Sequence, residues 1–464
     1  MFNLNESLNH QILYVQIYEQ LKEMIKKGTY KANQKLPSKR KLSVLLKVSP
    51  LTVDRSYQQL IAEGYVYSIE KSGYFVAEQV EMQIIDSNKF KDIEMKEEKK
   101  TEYLYQFKTN IVDTSIFPNA TWAKLAREVL SENHHEMLNE SHPKGMRLLR
   151  VEIAKFLELY RGMKVDLEQI IIGSGSTSLI SMIVEMLGRD QKYAIEDPSY
   201  QKIYQLFKSN DVDLSPIQLD LFGIEMKSLK KSLASIVHIT PSHQFPTGIV
   251  MPIQRRTELL NWASESENRY IIEDDYDSEF RYLGKPIPAL QSLDQNDRII
   301  YMNTFTKTLA PSFRMSYMVL PKKLLPIYSK IQSYHSCTVP NFEQYIMYKF
   351  MKGGYFERHI NRMKNLYKQK IEMIIESCSH YKDIEIKGID AGLHCLLVIH
   401  QNIDEKEFLV KMNEKQIFIK GLHEYYVNEE TLDKPTLVLG YSGIPLGKLK
   451  ESLDFLLKAI FENK

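Results

Sequence analysis

The chain has 464 residues, enough for two or more domains, and its apolar fraction of 43% is ordinary for a globular protein. A net charge of +2 excludes a uniformly basic nucleic-acid coat protein but leaves room for one small basic module. Three widely spaced cysteines form no metal-binding pattern and cannot all pair, so we expect no metal and a reducing, cytoplasmic setting. The amino terminus lacks the apolar core of a signal peptide, and no run reaches about eighteen apolar residues, so no membrane span is expected.

The first 77 residues have the pattern of three helices followed by a hairpin. Apolar residues recur at helical spacing from Tyr14 to Ile25. Ser38 and Ser49 are favourable N-caps for a second and a third helix. Two short apolar runs on either side of Gly73 then predict a β-hairpin. This order predicts a winged helix-turn-helix domain over residues 1–77.

The same segment is locally basic. It carries 11 lysines and arginines against 6 aspartates and glutamates, an excess that suits contacts with phosphates. The alternative is a small three-helix interaction domain whose charges are simply solvated.

Four motifs of this segment resemble the GntR superfamily of bacterial transcription regulators: Leu36-Pro37-Ser38-x-Arg40-x-Leu42, Val48-Ser49-x-x-Thr52-Val53, Tyr57-x-x-Leu60-x-x-Glu63-Gly64 and Ser72-Gly73-x-Phe75-Val76. The resemblance implies that the third helix enters the major groove of DNA, while the hairpin touches the minor groove or the backbone. By position, it implies DNA contacts from Ser38, Arg40, Ser49, Thr52, Arg55 and Ser72. One departure is that many members carry Ser-Arg early in the third helix, whereas Pro50 and Leu51 follow the serine here.

Residues 78–108 are predicted to be a linker. Their centre is a mixed-charge run with little periodicity and no glycine or proline. Both a flexible tether and a short charged helix are compatible with this composition.

Residues 109–464 alternate short apolar runs with longer amphipathic ones, which predicts an α/β domain with a mostly parallel sheet and helices on both faces. Polar clusters follow the apolar runs. Because ligands bind at the carboxyl ends of such strands, these clusters are expected to converge on one site.

Lys307 is the central residue of that expected site. It follows a buried apolar run at 299–302, is flanked by Thr304 and Thr306, and is followed by Arg314. One interpretation is a loop lysine that points into water, the usual fate of lysines. The other is an amine that forms a Schiff base with a pyridoxal cofactor, whose phosphate contacts the hydroxyls and the arginine.

Other clusters suit other parts of pyridoxal phosphate, and each has a plainer alternative. Gly175, Ser176 and Thr177 open a helix whose free N–H groups suit a phosphate, although an ordinary helix start looks the same. Tyr200 could lie on a pyridine ring or be a packed surface tyrosine. Asp274 can keep a ring nitrogen protonated, or it and its neighbour could be a metal-binding or solvated pair. Tyr276 can donate to the ring hydroxyl.

Further motifs are similar to fold-type I aminotransferases, and more narrowly to the MocR subfamily, which joins a GntR domain to an aminotransferase-like domain: Glu196-Asp197-Pro198-x-Tyr200, Thr240-Pro241-Ser242-His243-Gln244-Phe245-Pro246-Thr247-Gly248, Glu273-Asp274-Asp275-Tyr276 and Thr304-Phe305-Thr306-Lys307. The resemblance implies a fold-type I domain with a smaller carboxyl-terminal α+β subdomain, bound pyridoxal 5'-phosphate and a homodimer. It assigns Lys307 as the Schiff-base lysine, Asp274 as the ring-nitrogen partner, Tyr276 as the ring-hydroxyl partner and Tyr200 as the stacking ring. It further implies phosphate contacts from Ser176, Thr177, Thr304, Thr306 and Arg314, and a contact of His243 or Gln244 with the ring hydroxyl.

Val438 is a departure from that family. Members that bind an amino-acid carboxylate usually carry arginine in a late Arg-Leu-Gly strand, where this chain has Val438-Leu439-Gly440. Lys202, His243 or His394 could substitute, the ligand could be something other than an ordinary amino acid, or the alignment could be shifted by a few residues.

Three functions follow as hypotheses. The first is a transcription regulator that binds an operator and senses pyridoxal phosphate or an amine. The second is an active aminotransferase with a DNA-binding head, and the third is a module that holds the cofactor without any response to ligand. Val438, which stands where an arginine is usual, favours the transcription regulator over an enzyme that catalyses transamination efficiently.

Overall fold

The computed structural model describes residues 13–78, 103–109, 111–132, 135–282, 287–332, 334–401, 404–428 and 434–461. The chain divides into two compact units, Met1–Lys100 and Thr101–Lys464. Most of the predicted linker, residues 79–102, lies outside the described residues. Of the helices in the described part, none combines the length and apolar character needed to cross a bilayer.

The smaller unit contains three helices and a hairpin, namely α1 (Leu13–Lys26), α2 (Lys39–Leu46), α3 (Pro50–Ala62), β1 (Val66–Ile69) and β2 (Gly73–Val76). The two strands pair in antiparallel register. The predicted winged helix-turn-helix fold is therefore confirmed.

Both predicted N-caps of this unit are formed. The Ser38 hydroxyl accepts from the Lys41 N–H at 3.3 Å, and the Ser49 hydroxyl accepts from the Thr52 N–H at 3.1 Å. Pro50 takes the first position of α3, where its missing N–H costs no hydrogen bond. One apolar core joins the three helices to the hairpin, and it includes Ile17, Leu21, Leu42, Val53, Tyr57, Leu60, Val66 and Val76.

The larger unit alternates helices and strands as predicted. Its helices are α4 (Asn119–Ser131), α5 (His135–Leu138), α6 (Arg147–Arg161), α7 (Ser176–Leu187), α8 (Gln201–Ser209), α9 (Met226–Lys231), α10 (Ile253–Ser264), α11 (Leu325–Gln332), α12 (Asn341–Lys352), α13 (Tyr355–Ser379), α14 (Glu405–Glu414) and α15 (Leu446–Phe461). Its strands are β3 (Tyr105–Gln106), β4 (Ile170–Gly173), β5 (Lys192–Asp197), β6 (Asp213–Asp220), β7 (Gly223–Ile224), β8 (Ile236–Ile239), β9 (Tyr270–Asp274), β10 (Ile299–Thr304), β11 (Ser316–Val319), β12 (Ile384–Lys387), β13 (His394–Ile399), β14 (Ile417–Phe418), β15 (Lys420–Gly421) and β16 (Thr436–Gly440).

The main sheet has the strand order β4-β11-β10-β9-β8-β5-β6-β7. The strands from β10 to β6 in this order are mutually parallel, whereas β11 runs antiparallel to both of its neighbours and β7 runs antiparallel to β6. The larger unit has separate apolar cores on the two faces of this sheet. Along β4, Ile170 and Ile172 pack in one of these cores, and Ile171, which points to the opposite face, packs in the other. Both faces of the sheet are thus covered, which confirms the predicted α/β architecture.

A second sheet forms a smaller subdomain near the carboxyl terminus. Its four antiparallel strands have the order β12-β13-β16-β15, and their core includes residues of α13 and α15. This is the α+β subdomain that the family resemblance implied.

The structure corrects the carboxyl end of the predicted linker. β3 pairs in parallel with β14, with Tyr105 opposite Ile417 and Gln106 opposite Phe418. Phe107 is only 1% exposed and belongs to the core of the smaller subdomain. The strand is two residues long, too short to produce a recognisable alternation in the sequence.

Candidate functional site

The carboxyl ends of the parallel strands surround a cavity of about 270 Å³. Ten of the twelve predicted cofactor residues line it: Gly175, Ser176, Thr177, Tyr200, Asp274, Tyr276, Thr304, Thr306, Lys307 and Arg314. They come from distant parts of the chain, and the parallel arrangement of the strands brings their following loops to one edge of the sheet.

One end of the cavity is built to receive an anion. Gly175 adopts φ +87° immediately before α7. Because Gly175, Ser176 and Thr177 line the cavity, the free N–H groups of the first helical turn lie beside it. The Arg314 side chain lies close to this glycine, since a β-carbon at position 175 would be 3.5 Å from a guanidinium nitrogen of Arg314. Thr304 donates to the hydroxyl of Thr306 at 2.7 Å, on the loop that leads to the lysine. Helix N–H groups, hydroxyls and a guanidinium are the donors that a phosphate requires.

Lys307 is buried in the wall of this cavity, with 9% of its surface exposed. Burial lowers the pKa of its ammonium to about 8, against the opposing attraction of Asp277 and Asp274, while the charge of Lys202 lowers it further. A lysine with such a pKa exists partly as the neutral amine near neutral pH, the form that attacks a carbonyl carbon.

Asp274 ends strand β9 and is paired with a histidine that the sequence analysis did not single out. His238 Nε2 lies 3.4 Å from Asp274 Oδ2, and both side chains are buried and line the cavity. The only sequence signal for His238 is that it is the polar residue in the otherwise apolar run of β8.

Tyr276 is held by the loop that follows β8. Its hydroxyl donates to the His243 carbonyl at 3.1 Å and lies 3.3 Å from His243 Nδ1. His243 Nδ1 is also 2.9 Å from Asp277 Oδ2. Burial raises the pKa of the Tyr276 phenol well above its ordinary value, so the group stays a neutral donor at physiological pH.

The two remaining predicted residues, His243 and Gln244, are not among the residues that line the cavity. The Gln244 amide donates to the Pro198 and Phe245 carbonyls at 2.9 and 2.8 Å. Its oxygen accepts from the Thr247 N–H at 3.1 Å and from the Thr247 hydroxyl at 2.6 Å. The amide therefore shapes its own loop, and a direct contact of Gln244 with a cofactor is not supported.

Val438 lies in an apolar cluster beside the cavity. It is fully buried with Phe245, Leu396 and Tyr425, and the cavity residues Tyr200 and Tyr276 pack against the same cluster. His394, a candidate to replace an arginine, donates to the Pro246 carbonyl at 3.0 Å, and burial lowers its pKa to about 3. It is therefore neutral at physiological pH and offers no charge to a carboxylate. Lys202 lines the cavity.

The predicted DNA contacts lie on the surface of the smaller unit. Thr52 is half-buried, and the others are exposed: Ser38, Arg40, Ser49, Arg55 and Ser72. The Ser49 and Thr52 hydroxyls are 2.8 Å apart at the start of α3. Ser72 lies in the tight turn between β1 and β2, where its N–H donates to the Ile69 carbonyl at 3.0 Å.

Comparison with known proteins matches both units. Residues 13–76 match the family of bacterial regulatory proteins named gntR, and residues 106–432 match aminotransferase class I and II. The uncharacterized HTH-type transcriptional regulator YdeL of Bacillus subtilis is 36% identical over 96% of both chains. The probable rhizopine catabolism regulatory protein MocR of Rhizobium meliloti is 28% identical over 93% of this chain and 90% of its own.

A solved structure is similar to the larger unit. The multiple substrate aminotransferase of Thermococcus profundus superposes with a TM-score of 0.69 and 26% identity, over 78% of this chain and 92% of that one. Together with the two family matches, this likeness accounts for both units. The chain belongs to the MocR-type branch of the GntR regulators, in which a gntR-family winged helix precedes an aminotransferase class I and II domain.

Proposed function

We propose that this chain is a DNA-binding transcription regulator whose larger unit holds pyridoxal 5'-phosphate and senses either that cofactor or an amine that competes for it. The observation that carries the proposal is the presence, in one chain, of a winged helix with exposed serine and arginine side chains and of a cavity around a buried lysine. Neither feature alone separates a regulator from an enzyme or from a plain DNA-binding protein.

The residues of the cavity suit pyridoxal phosphate. The first turn of α7, Thr304, Thr306 and Arg314 would hold its phosphate, and Lys307 would bind its aldehyde carbon. Asp274 would face the ring nitrogen. When bound, the cofactor supplies an electrophilic carbon and an electron-withdrawing ring, and the protein fixes their orientation and charge.

The environment of Val438 favours sensing over efficient transamination. Val438, which stands where the family resemblance implies a carboxylate-binding arginine, lies in a buried apolar cluster and offers no guanidinium to an amino-acid carboxylate. A ligand that enters the cavity and displaces Lys307 changes the charge there. It alters DNA binding only if it binds one arrangement of the protein more tightly than another.

We further propose that the chain acts in the cytoplasm as a homodimer. Two winged helices related by symmetry suit two operator half-sites, as is usual for dimeric helix-turn-helix proteins.

The test measures affinity for DNA from the chain's own promoter region by fluorescence anisotropy at fixed salt, with and without pyridoxal phosphate. We expect binding, and a change of affinity with the cofactor in the wild type but not in Lys307→Ala. Absence of binding to this DNA, both with and without the cofactor, contradicts the regulator. If the affinity for DNA is the same with and without the cofactor, and also with candidate amines added, the chain is a module that holds the cofactor but does not respond to a ligand.

A working aminotransferase is the second candidate, because Lys307, Asp274 and Tyr276 all line the cavity. Steady-state transamination with a panel of amino acids separates the two. Rapid multiple turnover that is lost in Lys307→Ala favours the enzyme, and a single half-reaction or none favours the sensor.

A further inference from the structure

Helix α3 carries a face that plays no part in the core of the smaller unit. Four of its residues are buried, namely Val53, Ser56, Tyr57 and Leu60. At 100° per residue, Leu51, Arg55 and Gln58 lie on the opposite side, and all three are exposed. This outward face therefore combines an apolar side chain, a guanidinium and an amide.

Leu51 is the unusual member of that face. Its side chain is 61% exposed, and it is absent from the apolar core of the unit. It lies between Ser49 and Thr52, whose hydroxyls meet at the start of the helix, and it precedes Arg55 by about one turn. Polar groups suited to DNA thus surround one apolar side chain that has no packing role.

The major groove offers a specific partner for such a side chain. Thymine is the base that presents a methyl group there, and apolar side chains contact it, whereas arginine pairs with guanine and glutamine with adenine. Leucine can neither bind phosphate nor hydrogen-bond to a base edge. Its exposed methyl groups would gain from contact only with another apolar group.

We propose that Leu51 reads the C5-methyl group of a thymine in the operator. The inference rests on the proposed DNA-binding function and adds one determinant of sequence specificity. Leu51 and Arg55 are separated by four residues, about 6 Å along the helix. At about 3.4 Å per base pair, the thymine is expected within about two steps of the base that the arginine contacts.

The experiment uses the full chain to select binding sites from a random duplex library at fixed salt. Each thymine of the selected site is then replaced by uracil, which keeps the base pairing and removes only the methyl group. Loss of one buried methyl contact is expected to weaken wild-type binding about fourfold at one thymine in each half-site. Leu51→Ala is expected to lose both the preference for that thymine and the sensitivity to uracil.

Leu13→Ala is the matched control. Leu13 is another exposed leucine of the same unit, and it lies beside Tyr14, whose carbonyl accepts from Ser56 on the buried side of α3. This variant should keep the full response to uracil.

The outcomes separate the inference from the proposed function. If the wild type binds its selected site but tolerates uracil at every position, Leu51 does not read a methyl group, although the protein still binds DNA. The same conclusion follows if Leu51→Ala keeps the uracil sensitivity. If no sequence is enriched at all, the proposed function fails, and the inference fails with it.

Discussion

The low pKa of Lys307 makes a quantitative prediction about how the protein captures pyridoxal phosphate. Burial brings the pKa from its ordinary value of 10.5 to about 8. Near pH 7.5, about a quarter of such side chains are neutral, compared with about one in a thousand for a solvated lysine. Because the neutral amine attacks the aldehyde, the burial alone raises its reactive fraction by roughly 200-fold.

The sign of the pH dependence follows from that shift. Below the folded pKa most of the amine is protonated, so the capture rate should rise about tenfold per pH unit up to about pH 8 and level off above it. The assay is stopped-flow absorbance after mixing cofactor-free protein with excess pyridoxal phosphate in amine-free buffers. A free lysine derivative under the same conditions is the control, and it should still accelerate above pH 9.

Two results would refute the reasoning. A rate that keeps rising tenfold per unit above pH 9 means that the lysine has its ordinary pKa and is not buried as described. A Lys307→Ala variant that captures the cofactor with the same rate and spectrum means that another amine is responsible.

Three further changes test other parts of the structure. Val438→Arg buries an unpaired charge and should lower the free energy of unfolding by about 4 kcal/mol, whereas Val438→Ala should lower it by about 2 kcal/mol. Urea unfolding followed by the fluorescence of Trp122 and Trp262 measures the free energy of each variant. Equal losses in the two variants would contradict the apolar cluster around Val438. Asp274→Ala should weaken the equilibrium binding of pyridoxal phosphate roughly ten- to hundredfold, because the ring nitrogen loses a charged hydrogen-bond partner. An unchanged affinity would show that the Asp274 carboxylate does not face the ring. Ser49→Ala removes the N-cap of α3 and should destabilise the first turn of that helix by about 1 kcal/mol. Amide hydrogen exchange in this turn should then become about fivefold faster. An unchanged exchange rate would argue against the cap.

Much of the fold was predictable because its signals are local. The helix starts at Ser38 and Ser49 depend on hydroxyls that bond within three residues along the chain. The strand before Lys307 was visible as an apolar run, because strands covered on both faces are apolar throughout. The rule that ligands bind at the carboxyl ends of parallel strands then placed the polar clusters together without any knowledge of the strand order.

Contacts across the sheet depended on tertiary structure. His238 meets Asp274 because β8 lies beside β9 in a register that sets His238 opposite Ile272, two residues before the aspartate. Nothing local in the sequence specifies that these two strands are neighbours, because strand order is decided by how the connecting helices pack.

The sequence by itself determined the two-part organisation of the chain, its winged helix-turn-helix and α/β fold classes, and the lysine in the wall of the cavity. Only the tertiary structure decided which polar groups remain available at that cavity. Gln244 is chemically suited to a cofactor, but its amide is already used by its own loop. Availability depends on the partners that each group meets after folding, and those partners are spread along the chain.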